Sequence, residues 1–258
     1  MNSLITIITI TYNAETVLEK TLQSILNQTN KDFEYIIVDG ASKDKTVEII
    51  KKYENLISEN QYEGLKKEQF RWISEPDSGL YDAMNKGIKM AAGEFVWFMN
   101  AGDKIYDYTI VQKISDSIQK NPQCDVVYGQ SLIIDENDNP LGERHKIAPK
   151  VLKKKSLLNG LVVCHQSILA RKSIVPYYDL QYRVSADYDW VCKVLSISKG
   201  NHYMDQYISA FMISGFSSVH RKKSWKERYF IMKKHFGLPK TLCAHLKIML
   251  KYPFTRKY

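Results

Sequence analysis

The sequence predicts an α/β fold in which helices flank a mainly parallel sheet, and two observations lead to this prediction. Short apolar runs, of the length of buried strands, recur along the first hundred residues. Between them lie segments whose apolar side chains recur every three or four positions, as on one face of a helix. This alternation is typical of parallel sheets with right-handed crossovers. The predicted strands cover 5–11, 35–38, 70–73 and 95–99, and the predicted helices cover 17–27, 47–57 and 81–91.

The second half of the chain is predicted to be mixed. A helix is expected at 111–118, a strand at 125–134, a polar turn at 135–140, a strand at 161–170 and a helix at 189–198. Two basic amphipathic helices, 225–236 and 241–252, are expected on either side of Gly237 and Pro239 and form a basic helical C-terminal tail. The chain has no internal repeat and no linker that separates independent domains.

The composition is that of a soluble globular protein, because 44% of the 258 residues are hydrophobic and 25% are charged. No apolar run reaches the length of about 18 residues that a transmembrane helix requires. The apolar segment 4–10 has neither a basic leader nor a small-residue cleavage site, which favours a first strand over a signal peptide. The scattered Cys124, Cys164, Cys192 and Cys243 predict reduced buried thiols in a cytoplasmic protein and no zinc site.

Positive charge is concentrated at the C-terminal end. Residues 221–258 hold 12 of the 37 Lys and Arg but only one acid, Glu227, so this tail has a net charge of +11. The remaining 25 bases and 27 acids give residues 1–220 a net charge of −2. The asymmetry predicts an anionic partner, and a membrane surface is favoured over nucleic acid because the tail has no recognisable nucleic-acid-binding motif. The alternative is a solvated basic helix that packs on the rest of the domain.

The apolar run at 95–99 ends in Asn100 and Asp103. Open α/β sheets bind their ligands at the carboxyl ends of the strands. A carboxylate in that position is suited to a hard divalent cation that holds phosphates. Because Asn, Gly and Asp also form turns, an ordinary turn after the strand is the alternative interpretation.

Polar residues also follow the other predicted strands at the same edge of the sheet. The first strand ends in Thr11, Tyr12 and Asn13, and the second ends in Asp39, which could bind a base or ribose or cap the next turn. Gly79 permits close approach of the backbone, and the helix after it begins with free N–H groups suited to phosphate. The absence of GxGxxG after the first strand, and of GxxxxGK[ST] anywhere, argues against a dinucleotide oxidoreductase and a P-loop NTPase.

Four segments together resemble the family-2 glycosyltransferases, which are inverting enzymes with the Rossmann-like GT-A nucleotide-sugar-binding fold. The segments are ITYN at 10–13, IVDG at 37–40, EPDSGLYDAMNKG at 75–87 and NAGD at 100–103. The third is the most diagnostic and is similar to the bacterial subgroup that builds cell-surface polysaccharides. The resemblance covers about residues 4–220. It implies a nucleotide-sugar-binding half at 1–105, an acceptor-binding and catalytic half of the same domain at 106–220, and the basic tail at 221–258.

The resemblance also implies a donor site. NAGD corresponds to the family's DxD-type motif, which binds the metal and the diphosphate, so Asp103 is implied as a ligand of Mn²⁺ or Mg²⁺. Asn100 stands where the first acid of that motif is usual, which leaves Asp103 as the main ligand. The implied nucleotide-binding residues are Thr11, Tyr12, Asn13, Asp39, Asp77, Gly79, Asn85 and Asn100.

The segment SADYDW at 185–190 resembles the family's Glu-Asp motif, with Ala186 in place of the Glu. The resemblance implies that Asp187 is the catalytic base, which an inverting transfer needs to take a proton from the attacking hydroxyl. Asp189 is the rival two residues later, and the two carboxylates point in different directions if a helix starts at Ser185. The structural alternative is that Ser185 and Asp187 stabilise the N-terminus of that helix.

Two further segments are implied to take part. CHQS at 164–167 resembles the acceptor-side strand of the same subgroup, so His165, Gln166 and Trp190 are expected in the acceptor site. A satisfied structural histidine is the alternative for His165. His220 matches the position of a C-terminal histidine that binds metal or diphosphate in many GT-A enzymes, and Mn²⁺ would accept it more readily than Mg²⁺.

The function expected from the sequence is inverting transfer of a sugar from a nucleoside-diphosphate sugar to a saccharide or lipid-linked acceptor, in surface polysaccharide biosynthesis. By resemblance the nucleotide is UDP, with GDP or dTDP as alternatives. The protein is expected in the cytoplasm, peripheral on the inner face of the cell membrane, with anionic lipid and not nucleic acid as the partner of its tail. Two rival functions are a sugar-phosphate nucleotidyltransferase and a noncatalytic saccharide- or lipid-binding module with a degenerate site.

Overall fold

The computed structural model of the chain describes residues 3–213 and 221–251. Within these ranges nine strands form one sheet, which seven α-helices flank. The strands are β1 (Ile5–Thr11), β2 (Phe33–Asp39), β3 (Phe70–Ser74), β4 (Phe95–Phe98), β5 (Lys104–Ile105), β6 (Val126–Ile134), β7 (Pro140–Glu143), β8 (Ile168–Arg171) and β9 (Asn201–Met212). The helices are α1 (Leu18–Leu26), α2 (Thr46–Ser58), α3 (Leu80–Met90), α4 (Ile110–Lys120), α5 (Ala186–Ile197), α6 (Arg221–Phe236) and α7 (Leu238–Lys251).

The strand order is β3-β2-β1-β4-β8-β6-β9-β5, and β7 pairs with the free part of β6. The first four strands in this order are parallel to one another. Strand β8 is antiparallel to both β4 and β6, and β9 is parallel to β6, so β6 and β9 run in the same direction as β4. Only β5, β7 and β8 among the described strands run the other way. The prediction of a mainly parallel sheet flanked by helices is confirmed.

The core lies on both faces of the parallel strands. Every residue of β1, β2 and β4 is buried, and their alternate side chains enter two different apolar clusters. In β4, for example, Val96 and Phe98 belong to one cluster, whereas Phe95 and Trp97 belong to the other. Burial of one large apolar side chain contributes about 1.5–3 kcal/mol, which explains why these strands are continuous apolar runs.

Two parts of the second half differ from the sequence prediction. The strand expected at 161–170 is restricted to β8, because residues His165–Ser167 form a 3₁₀ turn just before it. The long strand β9 was not predicted, because its sequence NHYMDQYISAFM has no regular alternation of apolar and polar residues. Cys124, Cys164 and Cys192 are buried as expected, but the prediction of a buried thiol is wrong for Cys243, which is exposed on α7.

Helix α6 packs against the segment that leads into α5. The carboxylate of Glu227 accepts hydrogen bonds from the backbone N–H groups of Arg183, Val184 and Ser185, each at 2.9 Å. Ile231 and Met232, on the same helix, are buried in the core. At least one face of the basic tail is therefore part of the folded domain. No helix of the described residues is long and apolar enough to cross a bilayer.

Candidate active site

The loops after β1 and β2 form one connected polar surface. Thr11 lies directly beside Asp39 in the pairing of these strands, and Asp39 lies beside Ser74 of β3. The fully buried carboxylate of Asp39 accepts hydrogen bonds from the Ser74 hydroxyl (2.6 Å) and from both the N–H (2.9 Å) and the hydroxyl of Ser42. The Asn13 N–H donates to the Ser42 hydroxyl (2.8 Å), which ties the first loop to the second. Asp39 therefore fixes the two loops relative to each other.

The loop after β3 approaches the same place. The Gly79 N–H donates to the Asp77 carboxylate at 2.7 Å, and Gly79 begins α3 with a φ of +119° that favours glycine. A Cβ atom added to Gly40 would lie 2.6 Å from Asp77 Oδ2 and 3.3 Å from Tyr12 Cδ2. Tyr12, Gly40 and Asp77 are thus contiguous, and Tyr12 is 60% exposed, so its ring is available to a flat ligand.

Two buried oxygens at this edge have no hydrogen-bond partner among the described residues. They are Thr11 Oγ1, at the end of β1, and Asn100 Oδ1, just after β4. The N–H of the next residue, Ala101, donates to the Ile10 carbonyl (3.2 Å), which places Asn100 beside the end of β1. A buried polar atom without a partner costs about 1–3 kcal/mol, and a bound ligand can remove that cost. Both atoms belong to residues predicted to bind the nucleotide.

Asp103 lies beneath this edge and is only 5% exposed. Its Oδ2 accepts a hydrogen bond from Gln166 Nε2 (2.7 Å), and its Oδ1 accepts one from the Met212 N–H (3.0 Å). Burial raises the pKa of Asp103 to about 7, although these two hydrogen bonds oppose the rise. Gly102, which precedes it, has a φ of +96°, and a Cβ atom there would lie 2.4 Å from Met212 Cε. The positive φ favours glycine at position 102, and the close Met212 side chain leaves little room for a larger residue.

The residues that could hold a cation are few. Within residues 3–213 and 221–251 no group of three or more His, Cys, Asp and Glu side chains is arranged for a metal. The Asp103 carboxylate and the unpartnered Asn100 oxygen are the hard donors near the diphosphate position, and oxygen donors suit Mg²⁺ and Mn²⁺. These donors fit a cation whose remaining ligands come from the diphosphate. The third expected ligand, His220, lies outside the described residues.

Asp187 lies at the N-terminus of α5 and is half-buried. Its Oδ1 accepts a hydrogen bond from the Tyr188 N–H (2.8 Å) and lies 3.5 Å from the Tyr81 hydroxyl, which also bonds the Val184 carbonyl (3.0 Å). Burial raises the pKa of Asp187 above its ordinary value, although the Tyr188 N–H and the charge of Arg228 oppose the rise. A carboxylate with a raised pKa and an exposed edge is suited to accept a proton.

Asp189, the rival carboxylate, has a different environment. It is fully buried and pairs with Lys193 (2.7 Å), His235 (2.7 Å) and Lys234 (3.3 Å). Burial by itself would raise the pKa of Asp189, but the hydrogen bonds from His235 and Lys193 outweigh it and hold this pKa well below its usual range. Asp189 joins α5 to α6, which favours Asp187 as the base.

His165 and Trp190 are both buried. Trp190 is 0% exposed and donates its indole N–H to the Pro176 carbonyl (2.9 Å). His165 Nε2 lies 2.6 Å from the Tyr178 hydroxyl, and the Tyr178 ring stacks on Trp190 with 5.6 Å between ring centroids. Burial lowers the pKa of His165 to about 4, so it is neutral at physiological pH. Both residues belong to an aromatic core in this structure, and acceptor contacts for them stay a prediction.

Gln166 and Asn85 also bond to the protein itself. Gln166 donates to Asp103 and accepts from the Cys164 thiol (3.1 Å), so it orients the expected metal ligand, and its acceptor contact stays a prediction. The Asn85 amide donates to the Tyr178 carbonyl (3.0 Å) and accepts from the Tyr178 N–H (2.7 Å). Both ends of the Asn85 side chain are therefore engaged in this structure, and its predicted contact with the nucleotide stays a prediction.

One residue beside the base was missed in the sequence. Tyr81 was interpreted only as part of the apolar face of α3, but its hydroxyl lies beside Asp187. Two facts could have indicated a role for Tyr81 in the site. It lies in the diagnostic segment 75–87, and a tyrosine has a polar hydroxyl at the end of its apolar ring.

Comparisons with known proteins identify the family of this chain. The sequence model of the family described as glycosyl transferase family 2 matches residues 6–177, about two thirds of the chain. The chain belongs to glycosyltransferase family 2. A relative, the PGL/p-HBAD biosynthesis glycosyltransferase of Mycobacterium bovis, is 32% identical over 189 residues, which are 72% of this glycosyltransferase and 67% of the relative.

Solved structures show the fold. The Staphylococcus aureus TarS fragment 1–349, in complex with UDP-GlcNAc, is similar to this glycosyltransferase with a TM-score of 0.72 and 18% identity. The match covers 100% of this glycosyltransferase and 76% of the TarS fragment. In a longer TarS chain the match spans 38% of the length. The Pyrobaculum calidifontis mannosyltransferase PcManGT, in complex with GDP-Man and Mn²⁺, matches 97% of this chain and 76% of its own length, with a TM-score of 0.61 and 14% identity. The GT-A fold expected from the sequence is confirmed.

Proposed function

We propose that this glycosyltransferase moves a sugar from a nucleoside-diphosphate sugar, with UDP as the nucleotide, to a saccharide or lipid-linked saccharide acceptor with inversion. The observation that supports this best is the pair of buried, unpartnered oxygens on Thr11 and Asn100 at the carboxyl ends of neighbouring parallel strands. A ligand at that edge satisfies both oxygens. The UDP-GlcNAc complex of the structurally similar TarS fragment supports the choice of donor class.

The donor lies along the edge formed by β1, β2 and β4. Tyr12 provides an exposed ring for the base, Asp39 and Asn13 fix the loops around it, and Asp77 and Gly79 form the neighbouring wall. Asp103 with Asn100, together with His220 as expected from the sequence, would hold the cation, Mn²⁺ or Mg²⁺. When bound, it neutralises the charge of the departing nucleoside diphosphate.

Asp187 acts on the acceptor. It accepts the proton of the attacking hydroxyl while the bond between the sugar and the diphosphate breaks, and a single displacement inverts the anomeric configuration. Its raised pKa makes it a better base than an ordinary aspartate, and Tyr81 and the Tyr188 N–H fix its orientation. Asp189 is held by two lysines and a histidine and takes no proton in this scheme.

The donor assignment is tested by thermal shift with UDP, GDP, dTDP and CMP, each with and without Mn²⁺. A ligand at 100 times its Kd stabilises the protein by about 2.7 kcal/mol, which is measurable as a raised Tm. We expect a Mn²⁺-dependent rise with UDP that is lost in Asp103→Ala. If none of the nucleotides raises the Tm, the proposed donor site is contradicted and the noncatalytic binding module is favoured.

We further propose that the tail holds the enzyme on the inner face of the cell membrane, where a lipid-linked acceptor for surface polysaccharide is found. On α7, Leu238, Leu242 and Leu246 recur every fourth residue and are 43–59% exposed, so they form an apolar stripe. Trp225 and Phe230 of α6 are also exposed, among several lysines. Exposed apolar residues beside lysines are typical of helices that lie on anionic lipid.

A further inference from the structure

Three cations lie close together without acidic partners. Arg144 and Lys146 follow β7, Arg228 lies on α6, and all three are half-buried. A Cβ atom on Gly160 would lie 2.3 Å from Arg228 Nη2 and 2.4 Å from Lys146 Nζ. Arg228 Nη2 and Lys146 Nζ both border the same small space beside Gly160, so they are separated by no more than the sum of these two distances. Gly160 has a φ of +91°, so a glycine at this position provides both the conformation and the space.

No carboxylate of the described residues forms an ion pair with these cations, although the charges of Arg228 and Arg144 reach the Asp187 carboxyl. Among the described residues, none of the three side chains forms an ion pair or a hydrogen bond; the guanidinium of Arg228 lies over the Tyr188 ring at 5.8 Å. The neighbouring acid on α6, Glu227, is bonded to three backbone N–H groups. The segments 1–2, 214–220 and 252–258 contain no Asp or Glu, so no acidic side chain can come from them. Like charges at this separation repel, and an anion between them removes the repulsion.

The ionisation of Lys146 is consistent with an electropositive pocket. Burial lowers the pKa of Lys146 to about 8, and the charges of Arg228 and Arg144 lower it further in the same direction. Burial lowers the pKa of His145, and the charges of Lys146, Arg144 and Arg228 lower it further. The negative charge of a bound phosphate would raise the pKa of both Lys146 and His145.

The cluster lies on the side of the proposed base. Arg228 contacts the ring of Tyr188, the residue next to Asp187, and the charges of Arg228 and Arg144 both act on the Asp187 carboxyl. In contrast, burial and two hydrogen bonds account for the pKa of Asp103, with no contribution from a cation of the described residues. Arg228 therefore lies on the Asp187 side of the site, whereas Arg144 acts both on Asp187 and on the Cys164 thiol, which the Asp103 charge also reaches.

We propose that Arg144, Lys146 and Arg228 bind a phosphate group carried by the acceptor, and so place its hydroxyl beside Asp187. This inference rests on the proposed function, and it narrows the acceptor to the class of phosphate esters. Arginine and lysine in a half-buried pocket suit phosphate, because their hydrogen bonds to it are charge-assisted. The pocket is a binding subsite and contributes no atom to the transfer.

The test measures binding of inorganic phosphate and of UDP with Mn²⁺ to the full chain by calorimetry, separately and together. The variants are Arg228→Gln and Lys146→Gln, and the matched control is Lys226→Gln, which removes an exposed charge from α6. We expect phosphate to bind in the presence of saturating UDP. Each pocket variant should weaken phosphate binding at least fivefold, whereas Lys226→Gln should not, and UDP binding should stay within twofold in all three.

Three results would overturn the proposal. Competition between phosphate and UDP would assign the pocket to the donor diphosphate, and equal weakening by Lys226→Gln would show only a general charge effect. Absence of phosphate binding to the unmodified chain would also refute it. If UDP fails to bind while phosphate binding depends on Lys146 and Arg228, the anion pocket stands and the proposed function fails, so the two failures are distinguishable.

Discussion

Asp187 and Asp189 show how two identical side chains, two residues apart, acquire opposite properties. Asp187 has a single close backbone donor and a pKa raised by burial, whereas Asp189 is bonded to two lysines and a histidine and has a depressed pKa. Local sequence could not separate them, because Lys234 and His235 approach from more than forty positions away. Only the resemblance to the family favoured Asp187, and the structure supplies a physical reason for that choice.

The pH dependence of the reaction follows from the state of Asp187. The base must be ionised to take a proton, so kcat/KM should fall as the pH is lowered through its pKa. Because burial raises this pKa, the midpoint should lie above the ordinary value of 3.8. The measurement is a pH profile of donor turnover, with circular dichroism to show that the protein stays folded. A midpoint at or below 3.8 would contradict the environment assigned to Asp187.

At the scale of elements, continuous apolar runs made the parallel half predictable, because strands buried on both faces need such residues. The segment before β8 was mistaken for strand, since Cys164, His165 and Gln166 are buried through a 3₁₀ turn and polar contacts that leave no periodic pattern. The hydrogen bonds of Gln166 and Asn85 could not be predicted from the sequence either. Their partners, Asp103 and Tyr178, are 63 and 93 positions away, and such long-range pairing has no local signal.

The junction of α5 and α6 depends on Asp189. Asp189→Asn leaves Lys193, Lys234 and His235 without their buried carboxylate, and loss of one partner of a buried ion pair costs about 3 kcal/mol. We expect this loss in urea unfolding at neutral pH. Because the folded-state pKa is depressed, the stabilisation is present above the ordinary pKa of 3.8 and should disappear as the pH falls below it.

Asp187→Asn is the matched control for that variant, since it makes the same change two residues earlier. A carboxyl with a raised pKa is not stabilised by its ionisation, so its loss should leave the free energy of unfolding unchanged or slightly higher. Equal destabilisation by the two variants would contradict the separate roles of the two residues.

At the scale of the whole molecule, charge and apolar exposure coincide at the C-terminal end. The net charge of +11 on residues 221–258 was evident from the sequence, and the structure adds the exposed stripe of Leu238, Leu242 and Leu246. The sequence could not show that Glu227 and Asp189 tie α6 to the domain, because both contacts depend on the tertiary fold. The same helix therefore presents Arg228 towards the site and Trp225 towards solvent.

Membrane association is predicted to depend on both the positive charge of the tail and its exposed leucine stripe. The chain should sediment with vesicles of phosphatidylglycerol and phosphatidylcholine but not with phosphatidylcholine alone, and about 0.5 M salt should release most of it by screening. Leu242→Ser with Leu246→Ser should weaken the association, whereas Ser58→Ala, on α2, serves as a distant control. Binding that is unaffected by lipid charge, by salt and by the leucine changes would contradict the proposed docking surface.

The most direct test of the account is donor turnover by the unmodified chain, Asp187→Asn and Asp189→Asn, with UDP affinity measured in parallel at a temperature where all three are folded. A positioned general base contributes about 10²–10⁴-fold. The account predicts that Asp187→Asn loses at least 100-fold in kcat with UDP affinity within twofold, whereas folded Asp189→Asn retains turnover. Full turnover in Asp187→Asn, or loss confined to Asp189→Asn, would contradict the central claim that Asp187 is the base of a sugar transfer.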